Sequence, residues 1–240
     1  MWPSGWSVRV VDEIDSTNTA LIAEVERADT GSVPPDRSVL VARYQTAGRG
    51  RLDRRWEAPP GANLLVSILF MDPPPHPIEL TQRVGLAAID ACGEIAGVTA
   101  VLKWPNDLLV AGAKLAGILA QTTASGAVVV GLGLNVGWAP PGAARLVDHA
   151  PGSDPLEVLA ALLGAYDRLP ADISARYRSA LDTLGRRVRV EQPAGDIIGR
   201  ALDVADDGAL MVLDECAVTH RIDIGDVIHL RDHPPSPGTD

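Results

Sequence analysis

Residues 42–56 read ARYQTAGRGRLDRRW, and the rest of the fold has to be built around whatever this stretch binds. Two glycines, Gly48 and Gly50, alternate with Arg49 and Arg51, and Arg54, Arg55 and Trp56 follow. Glycine reaches backbone angles that other residues avoid and lets main-chain amides approach a ligand closely. Arginine is a fork-shaped donor matched to carboxylate and phosphate oxygens. A Gly-Arg-Gly-Arg loop is therefore suited to wrapping an anion. Taken alone, a solvated basic turn accounts for it equally well.

The flanks of the loop set the fold class. Residues 38–44, SVLVARY, read as a buried strand that runs straight into the loop. After the Pro59-Pro60-Gly61 break, residues 64–70, LLVSILF, are almost wholly apolar, which argues burial on both faces inside a helix-covered sheet. Upstream, residues 8–11 give a short strand, and Ser16 or Thr17 can cap a helix with Ala20, Leu21 and Val25 on its buried side. The same Ser16-Thr17-Asn18 cluster also offers hydroxyls and an amide to a polar ligand head, although capping alone explains it. Residues 30–37 form a Gly/Pro-punctuated loop.

Downstream, Leu80, Val84, Ala87, Ala88, Ala91 and Ile95 recur at the helical period, with Gly97 as the stop. Residues 101–104 with 108–110, then 115–122 and 128–136, read as strands joined by short connectors, an antiparallel meander. Asp154-Pro155 opens a helix carrying Leu156, Leu159, Leu162, Leu163 and Tyr166, and residues 170–184 predict another, stopped by Gly185. From Arg187 five short alternating strands predict a small barrel-like unit. The expectation is an α+β fold, with a mixed sheet flanked by helices over 1–184, a small β domain over 185–231 and a disordered tail over 232–240.

The chain has 240 residues, 46% of them hydrophobic, and a net charge of -10. That acidity argues against a general nucleic-acid binder and makes the arginine loop stand out as a local anion site. Cys92 and Cys216 have no companions at metal-ligand spacing, so free thiols in a reducing compartment are expected. With no signal-peptide pattern and no apolar run near the ~20 residues that span a bilayer, a soluble cytoplasmic protein without membrane contact is expected.

Three further clusters carry chemistry. In Lys103-Trp104-Pro105-Asn106-Asp107 the proline breaks a strand and projects a cation, an amide and a carboxylate from one spot. Lys114 sits among apolar residues, where an ammonium needs an anion. Strict alternation sets Lys114 on the sheet face opposite Gly117. Gly131 and Gly133, two apart and followed by Asn135, strip side chains from one face, as at a ligand floor or a close crossing. Each also has a bland reading, as a polar turn, a snorkelling lysine or a packing contact. No P-loop, metal set or Ser-His-Asp candidate is visible, and a dinucleotide-loop reading of the glycines is discounted.

In this order and spacing, Ser16-Thr17-Asn18, Gln45 with Gly48-Arg49-Gly50-Arg51 and Trp56, residues 61–64, KWPND at 103–107, Lys114 with Gly117, and GLGLN at 131–135 resemble the biotin protein ligase family. The resemblance covers roughly residues 8–231, and the C-terminal unit looks like the family's SH3-like domain. It implies activation of biotin by Mg²⁺-ATP to biotinyl-5′-AMP, then transfer to a lysine of a biotin carboxyl carrier domain of acyl-CoA carboxylase or pyruvate carboxylase. By position Ser16, Thr17, Asn18, Gln45, Gly48, Arg49, Gly50, Arg51, Lys114 and Gly117 match biotin contacts, with Lys114, Arg51 and Arg49 as the catalytic cations. Trp56, Lys103, Asn106, Asp107 and Asn135 match the nucleotide side, with Asp107 as Mg²⁺ ligand. The resemblance also implies an arginine loop, residues 47–55, that is mobile until ligand arrives. Asp53 and Gln121 depart from the family's usual glycine and glutamate. About fifteen residues precede Ser16, too few for a winged helix, so no nucleic-acid binding is expected, and the chain is expected as a monomer or a weak ligand-dependent homodimer. The alternatives are a lipoate or octanoate transferase-like enzyme and a non-catalytic biotin sensor.

Overall fold

The apolar run at 64–70 forms β3 (Leu64–Phe70), buried at every position, in the middle of a seven-stranded sheet. The computed structural model describes residues 1–27, 34–52, 54–192 and 195–230. The expectations for residues 30–33, for Asp53 and for the tail at 232–240 lie outside the described residues. The sheet runs β1 (Ser7–Ile14), β2 (Ser38–Gln45), β3, β7 (Val128–Leu134), β6 (Ala113–Thr122), β5 (Asp107–Val110), β4 (Ala100–Lys103). Only β1 and β2 are parallel; the other neighbours are antiparallel, and β4 to β7 form the expected meander.

Both faces of this sheet are covered, which is why β3 needs no polar alternation. On one side α1 (Thr17–Glu26) packs Leu21 and Val25 against Leu40, Leu69 and Val129. On the other, α2 (Ile78–Ala96) and α3 (Pro155–Arg168) pack Val84, Ala88, Leu159 and Leu163 with Val39, Val41, Val66 and Ile68. Ser16 caps α1, Asp154 caps α3, and Gly97 closes α2 at φ +62°, a left-handed conformation that glycine adopts without penalty. The buried side of α1 also carries Thr17 and Asn18, whereas Ala20 is only partly buried. Cys92 is buried and Cys216 exposed, and both are free.

The helix expected over 170–184 shrinks to α4 (Ser174–Ala180). Tertiary pairing accounts for its end: Leu181 bridges Leu102, the Asp182 N–H donates to the Leu102 carbonyl at 2.8 Å, and the Thr183 hydroxyl accepts from the Trp104 N–H at 2.9 Å. Those backbone and hydroxyl groups complete the edge of β4 instead of a helical turn.

The five C-terminal strands are all present, antiparallel throughout, in the order β11 (Thr219–Ile222), β10 (Leu210–Asp214), β9 (Ile197–Val204), β8 (Arg187–Glu191), β12 (Asp226–His229). Val188, Val190, Leu210, Val212 and Val227 belong to the same continuous apolar core as Leu102, Trp104 and Leu181. The Trp104 indole N–H donates to the Gly208 carbonyl at 2.9 Å, so the KWPND turn is fastened to this second sheet. The result is an α+β fold with a small C-terminal domain, as expected.

Candidate active site

One cavity of about 500 Å³ lies where β6, β7, the start of α1, the arginine loop and the C-terminal sheet meet. Ser16, Thr17, Asn18, Gln45, Arg49, Gly50, Arg51, Trp56, Lys103, Asn106, Asp107, Lys114, Gly117 and Asn135 all line it. Of the sequence-predicted site residues only Gly48 does not. Its carbonyl accepts from the Trp56 N–H at 3.0 Å, and a Cβ there would come within 2.4 Å of the Trp56 carbonyl oxygen. Gly48 therefore closes the base of the loop. The Gly50 amide, expected as a ligand donor, is spent on the Arg54 carbonyl at 2.7 Å.

At one end of the cavity the polar groups are uncharged and connected. The Thr17 N–H and hydroxyl lie 2.7 and 3.0 Å from Gln45 Oε1. Ser67 Oγ lies 2.7 Å from Thr17 Oγ1 and 2.5 Å from Asn18 Oδ1, and the Asn18 amide donates to the Leu119 carbonyl and to Gln121 Oε1. Ser16, Thr17, Asn18 and Ser67 are all buried. Buried polar groups persist when each finds a partner, and such a network fixes side-chain direction. Sequence reasoning missed Ser67; its one signal was a lone hydroxyl in an otherwise apolar strand.

The floor is the paired glycines. Gly117 and Gly133 are direct partners across β6 and β7. A Cβ on Gly133 would lie 2.4 Å from the Trp56 indole, and one on Gly131 would lie 2.3 Å from Asn18 Oδ1. The glycines thus clear space that Trp56 and Asn18 fill. The indole N–H of Trp56 is buried without a partner among the described residues.

The other end is ionic. Contrary to strict alternation, Lys114 and Gly117 share the cavity face: a Cβ on Gly117 would lie 3.3 Å from Lys114 Nζ. The β5–β6 register explains this, since Leu108 pairs with Ala116 and Leu109 with Lys114, leaving Leu115 as an extra residue. Such a bulge turns the strand and re-aims the side chain beside it. Lys114 Nζ then reaches Asp107 Oδ1 at 2.6 Å and lies 5.7 Å from the centre of the Trp56 ring.

Arg51 spans two walls. It donates to Asn106 Oδ1 and to the Gly225 carbonyl, both at 3.3 Å, and lies 3.8 Å from Asp226, which also pairs with Arg54. Burial pulls the Arg51 pKa below its usual value, with Asp226 and then Asp107 opposing the shift. The Asn106 amide donates to the Ile118 carbonyl at 2.8 Å, which locks the KWPND turn onto β6. Asn135, expected to bond a nucleotide base, commits its side-chain N–H groups to the Lys114 and Ala144 carbonyls and accepts from Asn63. It holds the backbone behind Lys114. Gly225, Asp226 and Glu191, from the C-terminal sheet, were not anticipated.

Among the described residues no three carboxylate, histidine or cysteine side chains are grouped to hold a metal ion, and no helix is long and apolar enough to cross a membrane.

Residues 10–136 match the biotin/lipoate A/B protein ligase family and residues 183–230 the biotin protein ligase C terminal domain. The biotin–[acetyl-CoA-carboxylase] ligase of Mycobacterium tuberculosis is 40% identical over 95% of this chain and 91% of its own length. That of Paracoccus denitrificans is 37% identical over 61% of this chain and 65% of its own. In structure, the biotin protein ligase of Aquifex aeolicus in complex with biotin and ATP superposes with a TM-score of 0.75 at 26% identity, covering 94% of this chain and 99% of that one. With matching segments on both sheets and a relative alike along nearly its whole length, the chain belongs to the biotin/lipoate A/B protein ligase family, among its biotin protein ligases.

Proposed function

We infer that this cavity joins biotin to ATP and passes the activated biotin to a protein lysine. A biotin carboxylate oxygen attacks the α-phosphorus, the bond to the β-phosphate oxygen breaks, and pyrophosphate leaves with its electron pair. The neutral amine of the acceptor lysine then attacks the acyl carbon of biotinyl-5′-AMP, AMP departs, and the amine loses a proton. The names of the relatives support a carboxylase biotin carrier domain as acceptor.

The observation that carries this reading is the polarity along this cavity: a neutral hydrogen-bonding end, an aromatic and glycine middle, and an ionic end rich in lysine and arginine. Biotin has that sequence of parts. Its ureido group, two N–H donors and one carbonyl, suits Ser16, Thr17, Asn18 and Gln45. Its rings lie along Gly117, with Trp56, against Gly133, standing between them and the nucleotide side to which the sequence assigns it, and its carboxylate arrives at Lys114, Arg49 and Arg51. Two anions must meet there, and prepositioned cations lower the barrier by stabilising charge as it develops on the phosphoryl oxygens. Lys103, Asn106 and Asp107 face the nucleotide, with Asn135 supporting Lys114 from behind. A carboxylate at the Asn106–Asp107 turn fits Mg²⁺, which keeps several waters and binds through one or two carboxylates plus substrate phosphates. Asp107 would take one position on that ion, whose charge would offset that of the phosphates. Residues 1–184 carry the chemistry in this reading, and the C-terminal unit closes one wall. A cytoplasmic setting goes with it.

Biotin-dependent exchange of labelled pyrophosphate into ATP tests the first step, and labelling of a carrier domain by biotin tests the second. Exchange indifferent to lipoate is expected. Equal exchange with lipoate, or binding of biotin without turnover, overturns the reading.

A further inference from the structure

Asp226 is the first residue of β12, in the C-terminal sheet, yet its carboxylate lines the cavity between Arg51 and Arg54. It is largely buried, with its side chain 20% exposed. Arg51 has three partners, on two walls: it hydrogen-bonds Asn106 Oδ1 and the Gly225 carbonyl, and forms an ion pair with Asp226 at 3.8 Å. Only the last is charged. The neighbouring acid on the same wall, Glu191, is the cross-strand partner of Asp226 and is engaged with Arg189 at 3.1 Å. Lys114 is likewise held by Asp107. Arg51, Arg54 and Lys114 therefore each meet a carboxylate of the chain itself.

Arginine has a long side chain that loses rotamer freedom when it is fixed. Arg51 and Arg54 also repel each other, and without an anion between them they would separate into water. Asp226 opposes both tendencies before any substrate is bound.

We propose that Asp226 is a positioning residue for ATP, one that holds the Arg51 guanidinium over the Asn106–Asp107 end of the cavity. The proposal rests on the ligase reading. It assigns the C-terminal sheet a part in nucleotide binding through one carboxylate 175 residues from the arginine it orients.

The test uses the full chain with Asp226→Asn and Asp226→Glu, and measures KM for ATP and for biotin by pyrophosphate exchange. Asp226→Asn should raise the ATP KM about tenfold, the size of one charge-assisted contact, with a clearly smaller rise in the biotin KM, whose carboxylate keeps Lys114 and Arg49, and an unchanged melting temperature. Asp226→Glu, which keeps the charge, should recover most of the loss. Trypsin should cut the free Asp226→Asn protein after Arg51 and Arg54 faster than wild type. An ATP KM that stays level or falls would mean that Asp226 merely competes with phosphate, and overturns the proposal. So does a parallel rise in both KM values with a lowered melting temperature, which would mark a structural role only. A wild-type chain without biotin-dependent exchange overturns the ligase reading as well, whereas exchange with an unaffected ATP KM sinks only the positioning role.

Discussion

Lys114 Nζ meets Asp107 Oδ1 at 2.6 Å because β6 carries one residue more than β5 can pair. In a regular strand residues three apart face opposite ways. The surplus Leu115 sets Lys114 on the same side as Gly117, over the glycine floor and beside Trp56.

Replacing this lysine should separate chemistry from stability. Its side chain is 41% exposed, and such ion pairs contribute little to folding. Lys114→Ala is expected to lower the rate of adenylate formation by at least ~10²-fold, about 2.7 kcal/mol of barrier, with an unchanged far-UV spectrum and melting temperature. Near-normal pyrophosphate exchange would refute the role given to it.

Ser67 should behave in the opposite way. It is fully buried and joins Thr17 to Asn18. Removing its hydroxyl leaves buried oxygens short of a donor, a loss of about 1–3 kcal/mol. Ser67→Ala is thus expected to lower unfolding free energy in urea by that amount and to weaken biotin binding several-fold, while the ATP KM holds. Calorimetric biotin affinity equal to wild type would show that the network does not serve the ligand.

At the floor, Gly133→Ala asks whether Trp56 needs the missing side chain. The added methyl would sit 2.4 Å from the indole, so the ring must move off β7. The expected result is a shift in tryptophan emission together with weaker binding of both substrates. Unaltered emission and unaltered KM values would mean that the ring is not seated there.

His229 predicts a pH effect on stability. Its pKa is lowered, chiefly by burial and then by Lys103 and Arg186, against the pull of Asp182. The folded protein therefore resists taking up a proton that the unfolded chain accepts near pH ~6.5. Stability is complete above that value and falls as pH drops toward the folded pKa. Urea unfolding at about pH 7.5 and about pH 5.5 should show a loss in wild type that His229→Gln, still able to meet the Thr183 hydroxyl, reduces. An identical loss in both proteins would remove His229 as its source.

Much of this molecule is legible in its sequence where one local rule dominates. The unbroken apolar character of 64–70 fixes a central strand, and the period of Leu80, Val84, Ala88 and Ala91 fixes α2. The arginine loop, KWPND and Lys114 also stand out, because charged groups amid apolar strands need a reason to be there. What stayed hidden depends on pairing between distant segments. No local pattern marks Leu115 as surplus, since the surplus exists only against β5. Residues 181–183 look helical until Leu102 and Trp104 claim their backbone and hydroxyl groups. Asp226 looks like an ordinary strand start, and only folding brings it to Arg51.

The fastening of Trp104 to the Gly208 carbonyl and to Thr183 also bears on how such a chain can change by recombination. A foreign C-terminal module spliced in near residue 185 would have to present that carbonyl beneath the indole and a carboxylate before two arginines, in one geometry. Few grafts meet both demands. The two sheets are thus inherited as a single piece of machinery, and the seam between them is a poor place to cut.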